Sequence, residues 1–267
     1  EILTPLIASD LLLAFAYSEP QSRFDAADVI TTAKAKDGGF VIDGRKSVVL
    51  HGGTADRMVV SARTAGGARE AAGISLFVVD PSAEEIEVRA YATVDGQRAA
   101  EVTLSGARVG PDALLGEKDQ AMAVIEATLD HAIAAVAAEA VGLMGVLHED
   151  TLEYLKTRKQ FGRPIGSFQV LQHRSVDMFM ELEQARSMAA LAAMRADDPD
   201  PAARRRDISA AKAQIGTSGR FVGQQAIQLH GGIGMTDELR ISHYFKRLTA
   251  INMQFGDVDY HLDRMNA

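Results

Sequence analysis

The 267-residue chain has no cysteine. Disulfides, thiolate nucleophiles, iron–sulfur clusters and Cys-ligated zinc are therefore excluded, and a reducing cytoplasm, compatible with that composition, is the location we expect. An excess of positive charge is also missing, since 28 Lys and Arg stand against 36 Asp and Glu for a formal net charge of −8. Nucleic-acid binding needs clustered cations that displace counterions from phosphates. The one tight cluster, Arg204-Arg205-Arg206, runs straight into Asp207 and reads as a solvated helix face, so no nucleic-acid partner is expected. Long apolar runs are absent as well. A membrane helix needs roughly 18–20 apolar residues in succession; the longest candidate, Ala132 to Leu147, is mostly alanine and contains Glu139, so no membrane span is expected. No HxxxH or HExxH spacing occurs among the histidines, which leaves a metal site without support.

What is present is globular. A hydrophobic share of 47% and a charged share of 24% leave no room for a mostly disordered chain, and the length allows one large domain or two ordinary ones. From Leu11 to about Leu115 the pattern is short, β-branched, apolar runs: Leu11–Tyr17, Asp28–Lys34, Phe40–Ile42, Ser47–Leu50, Arg57–Ala62, Ile74–Val79, Ile86–Tyr91 and Ala100–Leu104. Asp37-Gly38-Gly39, Asp43-Gly44, Gly52-Gly53, Gly66-Gly67 and Asp95-Gly96 punctuate them, which predicts hairpins in an antiparallel sandwich or barrel. There is no βαβ alternation and no GxGxxG opening a helix, so a Rossmann domain is not expected. Ile2 to Tyr17 reads as the end of a helix running into a strand. Because the chain starts at Glu1 rather than at methionine, we expect a further N-terminal part.

After Gly116 the chain turns helical. Apolar or small residues at 125, 129, 133, 136, 140, 143 and 147 draw one stripe along a long helix that continues to Thr151, Tyr154 and Arg158. Gly162-Arg163-Pro164-Ile165-Gly166 breaks it, with Ser167 as the expected N-cap of a second helix. That helix carries Phe168, Leu171, Ser175, Met178, Leu182, Ala185, Ala189 and Ala192 on one seam. A third begins with Asp200 as cap and Pro201 in its first turn, keeps Ile208, Ala211, Ile215, Ser218, Val222 and Leu229 on one face, and ends at Gly231-Gly232. A short helix near Glu238–Lys246 and a last one interrupted near Gly256 complete the chain. The expectation is an α+β chain with a β-domain over 1–116, followed by an antiparallel four-helix bundle over 117–267.

Arg158-Lys159-Gln160-Phe161-Gly162, Phe168-Gln169 and Gln228-Leu229-His230-Gly231-Gly232-Ile233-Gly234 sit at three consecutive helix boundaries. With Tyr17-Ser18-Glu19-Pro20 and Asp43-Gly44-Arg45-Lys46, they resemble the acyl-CoA dehydrogenase family over essentially the whole chain. In detail the chain is most similar to the small subunits of bacterial two-subunit, pimeloyl-CoA-type enzymes. The resemblance implies a middle β-domain and a C-terminal helical domain, without the family's N-terminal helical domain.

It further implies FAD as cofactor, an acyl-CoA thioester as substrate and electron-transfer flavoprotein as acceptor. A carboxylate would take the α-proton and the β-hydride would pass to the flavin. By resemblance, Arg158 contacts the pyrophosphate, Phe161 and Gln169 flank the cofactor, and Gln228, Gly231 and Gly232 hold its adenylate end, all on the FAD of a neighbouring subunit. Bland readings stand beside these: Arg158 suits a helix C-terminus, and Gly231-Gly232 suits a helix C-cap. His230 is either part of the adenylate site or an ordinary helix-end histidine.

Other positions depart from the family. Val48 and Leu50 replace a tryptophan and a threonine that touch the subunit's own flavin, and Gln21-Ser22-Arg23-Phe24-Asp25 replaces a Gly-rich, Ser-containing stretch. Where the family has a Glu-Gly-Thr base motif, this chain has Phe255-Gly256-Asp257. The alternative base position holds Ala132, and Glu139, two turns further on, is the remaining substitute, read as a buried or interface carboxylate. The expectation is a subunit that completes a partner's FAD site without a base of its own. The alternatives are a homomeric enzyme with an atypical base, a flavin-free structural paralogue, and a flavin oxidase or monooxygenase on the same scaffold.

Overall fold

The computed structural model describes residues 2–266. The chain divides into two compact units, Glu1–Glu126 and Ala127–Ala267.

The first unit opens with a short helix, α1 (Leu3–Ile7), and then carries strands β1 (Leu13–Ala16), β2 (Thr32–Lys36), β3 (Gly39–Leu50), β4 (Arg57–Arg63), β5 (Ile74–Val79), β6 (Ile86–Ala92), β7 (Arg98–Val109) and β8 (Leu114–Leu115). They form one sheet in the order β6-β7-β3-β2-β4-β5-β8, with β1 beside β4. Most pairs are antiparallel, but β1 runs parallel to β4 and β2 meets β4 in a single parallel bridge, a mixture the hairpin pattern did not predict. Residues from β6 at one end and β5 near the other share one core with Ile42, Met58, Val60 and Val102, which requires the sheet to curl. Strand β4 is buried along nearly its whole length: Met58, Val60 and Ala62 join the apolar core, while Ser61 and Arg63 on the other face are buried polar residues that bond Lys46 and the carbonyls of Ala27, Ala68, Glu70 and Ala72.

The expected runs Phe40–Ile42 and Ser47–Leu50 are one twelve-residue strand. Asp43-Gly44, read as a turn, is instead a β-bulge in the pairing of β3 with β7. Glycine is required there by close approach, since a Cβ on Gly44 would lie 2.4 Å from Thr31 Oγ1 and 2.6 Å from its Cα. Beside the bulge, Lys46 and Glu19 form a fully buried ion pair at 2.7 Å. Lys46 also donates to Ser61 Oγ, and the carboxylate accepts from the Ile30 and Thr31 amides. Burial pushes the Lys46 ammonium down to about 8 against the pull of Glu19. A pair of this kind is costly to break one partner at a time, because the survivor is left buried and charged.

The second unit is built on α2 (Met122–Thr157), α3 (Gln169–Arg195), α4 (Pro201–His230), α5 (Arg240–Met253) and α6 (Val258–Met265), with a two-residue hairpin of β9 (Lys159–Gln160) and β10 (Arg163–Pro164) between α2 and α3. The seams predicted on α3 and α4 are the buried faces: Ser175, Met178, Leu182, Ala185, Ala189 and Ala192 on one, Ile208, Ala211, Ile215, Ser218, Val222 and Leu229 on the other. On α2 the buried line is 125, 133, 137, 140, 144 and 147. It drifts from the predicted stripe because 3.6 residues per turn accumulates over a helix of 36 residues.

Asp200 caps α4 as expected, accepting from the Ala202 amide. Ser167 does not cap α3; its hydroxyl donates to the Pro164 carbonyl, and the N-cap position is Phe168. Among the described residues one helix, α2, is by length and composition apolar enough to cross a membrane, a property that core helices share, with 33% of its most apolar window buried inside the protein.

Candidate functional site

Four of the six residues expected to hold a cofactor converge in the helical unit. Arg158, at the end of α2, and Gln228, Gly231 and Gly232, at the end of α4, line one cleft of about 530 Å³. The first turns of α3 supply Val170, Leu171 and Arg174 as a second wall. Helix ends meet here because the hairpin reverses the chain between α2 and α3, while the glycines stop α4. Gly231 has φ +63 and donates its N–H to the Gln228 and Ile227 carbonyls, so that amide is spent on the helix cap. What the two glycines offer is room, since a Cβ at either would meet nothing within 4 Å.

The electrostatics of the cleft run against those of the chain. Two guanidinium groups line it and no carboxylate does, although the chain carries a net charge of −8. Arg174 donates to Gln225 Oε1 at 3.4 Å. The Arg158 side chain is exposed and has no protein partner among the described residues. One wall is aromatic: the Tyr154 and His230 rings stack at 4.4 Å between centroids and 28° between planes. Sequence reasoning passed over Tyr154 and Arg174 as site residues. Each sits on a different helix, with no motif of its own to mark it.

Phe161 and Gln169 do not line the cleft. Phe161 sits at the tip of the β9–β10 hairpin and is 89% exposed, with its ring edge-on to Phe168 at 6.0 Å. Arg163 stacks over Phe168 at 4.2 Å from the other side of the turn. Phe161 and Gly162 have φ +54 and +79, the pattern of a type I′ hairpin. Left-handed backbone is uncommon for a bulky residue. An exposed aromatic kept in that conformation is a side chain presented outward. Gln169, the first residue of α3, is exposed beside the cleft-lining Val170.

Phe255 and Glu139 lie outside the cleft. Phe255, φ +58, packs on the cluster of Ile133, Ala192, Ile208 and Ala211. Its turn is held by two buried groups. Lys212 Nζ donates to the Asn252 carbonyl at 3.1 Å and the Gly256 carbonyl at 2.7 Å, and His261 Nε2 donates to the Phe255 carbonyl at 2.9 Å. Burial drives Lys212 down to about 8, partly offset by Asp257. Burial first, and then Lys212, drive His261 down to about 3. Asp257 caps α6, accepting from the Tyr260 amide. Glu139, expected as a buried or interface carboxylate, is not buried within its own chain. Its side chain is 41% exposed and held by Arg247 through two contacts of 2.6 and 2.7 Å. Among the described residues no cluster of His, Asp and Glu suits a metal.

The chain matches the acyl-CoA dehydrogenase middle domain over residues 14–106 and the C-terminal domain of the same family over residues 120–267. It is 32% identical to the "Probable acyl-CoA dehydrogenase FadE25" of Mycobacterium tuberculosis, over 92% of this chain and 64% of that protein. It is 29% identical to the human mitochondrial short-chain specific acyl-CoA dehydrogenase, over 93% of this chain and 61% of that protein. Among solved structures, the butyryl-CoA dehydrogenase of Megasphaera elsdenii superposes with a TM-score of 0.90 at 25% identity, covering 99% of this chain and 70% of that one. The chain thus spans somewhat less than two thirds of the length of these two curated relatives. Domain matches over both units, together with these likenesses, establish that the chain belongs to the acyl-CoA dehydrogenase family, whose members are FAD-dependent oxidoreductases.

Proposed function

We propose that this chain is a subunit of an FAD-dependent acyl-CoA dehydrogenase, that it completes the cofactor site of a neighbouring subunit, and that it has no catalytic base of its own. The observation that carries this reading is the contrast between its two candidate regions. The cleft at the ends of α2 and α4 fits the adenylate and pyrophosphate part of FAD. It has two arginines suited to a dianion, a stacked aromatic wall, open backbone at Gly231-Gly232 and no opposing carboxylate. The region expected at its own flavin does not fit. Phe255 cannot accept a proton and belongs to a packed core, Asp257 places a carboxylate at a helix start where an anion would otherwise be welcome, and Val48 replaces an aromatic contact with an exposed aliphatic.

When bound, FAD would accept the hydride from the β-carbon of an acyl-CoA. This chain's residues would bind and orient it: Arg158 and Arg174 at the pyrophosphate, Gln228 at the adenylate end, and Phe161 reaching outward from the hairpin. The neighbour is another acyl-CoA dehydrogenase subunit, either a paralogue with an intact base or a second copy, and the phenylalanine at position 255 favours the paralogue. The family is oligomeric and passes electrons to electron-transfer flavoprotein; we assign this protein the same acceptor and a cytoplasmic location.

The test is flavin retention by the assembled protein. Arg158→Ala removes one charge-assisted contact and should weaken FAD binding by roughly 10- to 150-fold, about 1.5–3 kcal/mol, with an unchanged melting temperature. Arg158→Lys should recover only part of that loss, because the guanidinium fork is gone. Unchanged flavin occupancy in Arg158→Ala would remove the basis for the half-site. The homomeric alternative assigns proton abstraction to Glu139 and is disfavoured by the bidentate hold of Arg247. Glu139→Gln should leave turnover of the complex nearly intact, whereas loss of a true base would lower it by roughly 10²–10⁴-fold.

A further inference from the structure

The cleft contains a nearly buried polar group that its own chain leaves half used. His230 is 6% exposed, lines the cleft and is stacked on Tyr154. Its Nδ1 lies 2.8 Å from the Ala226 carbonyl, four residues back in α4. A carbonyl only accepts, so Nδ1 carries the hydrogen and, in the neutral imidazole, Nε2 is left as an acceptor. Among the described residues nothing donates to Nε2, and it is not one of the buried atoms sealed away from solvent without a partner. The unused lone pair thus belongs to a residue that lines the cleft. The Tyr154 ring fixes the imidazole plane, and the Ala226 carbonyl fixes its tautomer. Such double restraint is more than a helix-end histidine needs.

A fixed acceptor calls for a donor on the ligand. The cleft already suits a nucleotide, with Arg158 and Arg174 for phosphate and the Gln228 amide able both to donate and to accept. Purines differ at position 6, where adenine presents an amino donor and hypoxanthine or guanine a carbonyl acceptor. Two facing acceptors leave both lone pairs unpaired, whereas an amino group satisfies one of them. From this geometry we propose that His230 is the base-reading residue of the cleft, its Nε2 accepting from the 6-amino group of an adenine nucleotide and rejecting 6-oxo purines. This deepens the half-site reading above and rests on it.

The experiment uses the assembled, flavin-depleted protein and two probes, FAD and the analogue in which hypoxanthine replaces adenine. Binding is followed by flavin fluorescence, independently of turnover. The wild type should prefer FAD by about tenfold, the scale of one hydrogen bond made against one left unmade. His230→Phe keeps an aromatic ring against Tyr154 but has no acceptor. It should bind both probes within about twofold of each other, with FAD weakened roughly to the level of the analogue. His230→Gln, which restores an acceptor oxygen, should recover part of the preference. Equal binding of the two probes by the wild type, or a full preference in His230→Phe, would overturn the role of His230 while leaving the half-site intact. Failure of the wild type and all variants to bind either probe would overturn both.

Discussion

At the scale of single residues, the turn after α5 shows how buried titratable groups hold a backbone segment. Lys212 and His261 together satisfy the carbonyls of residues 252, 255 and 256, and each gives up its usual basicity to do so. For His261 the linkage is one-directional. The folded state keeps the imidazole neutral down to about pH 3, while the unfolded chain takes up a proton below about 6.5. Below 6.5 the unfolded state therefore binds more protons, and stability falls as pH drops from 6.5 towards 3. At about 1.36 kcal/mol per pH unit, the full window is worth a few kcal/mol. Urea unfolding at pH 7, 5.5 and 4 should show this loss in the wild type. In His261→Gln, which keeps a donor for the Phe255 carbonyl, the profile should be flatter. Parallel profiles would mean that another group governs the acid limb.

At the scale of elements, the β9–β10 hairpin carries a conflict between local preference and use. Type I′ turns favour Asn-Gly, because both central residues have positive φ, and this turn has Phe161-Gly162. Phe161→Asn should therefore stabilise the protein by about 1 kcal/mol, read as a higher melting temperature. The same substitution should reduce flavin retention by the complex. A variant that gained neither stability nor lost flavin would show the aromatic to be incidental.

Other elements were legible to different degrees. The seams of α3 and α4 could be read because small and apolar residues recur at mostly three and four over about six turns. The bulge in β3 could not, because Asp43-Gly44 has turn composition, and only the nearness of Thr31 shows why the glycine is there. In the cleft, Arg158 and the Gln228 to Gly232 segment were readable because motif and helix boundary coincide. Tyr154 and Arg174 were not, since a contact between three helices leaves no local spacing. Gln169 and Phe161 were marked by the same motifs, yet they stand beside the cleft rather than in it.

At the scale of the molecule, the helical unit leaves apolar surface that its own packing does not use. Val176, Phe179 and Met180 on α3 are 56%, 48% and 55% exposed, and they fall at the three-and-four spacing of a single stripe. A stripe on one long helix is suited to a facing helix of another subunit, consistent with the oligomeric habit of the family. Light scattering should report an oligomer. Phe179→Asp, which puts a charge into that stripe, should shift the distribution towards smaller species while leaving the far-ultraviolet dichroism unchanged. A monodisperse monomer, both alone and with its partner subunit, would contradict a shared cofactor site.

The Lys212 clamp also says something about the order in which the chain can assemble. Its nitrogen reaches across 40 residues to the Asn252 carbonyl and 44 to the Gly256 carbonyl. An eight-residue helix such as α6 has little persistence of its own. The segment from 252 to 265 can therefore gain lasting amide protection only after α4 is already seated. The end of the chain that presents Phe255 would be the last part of the helical unit to close and the first to open.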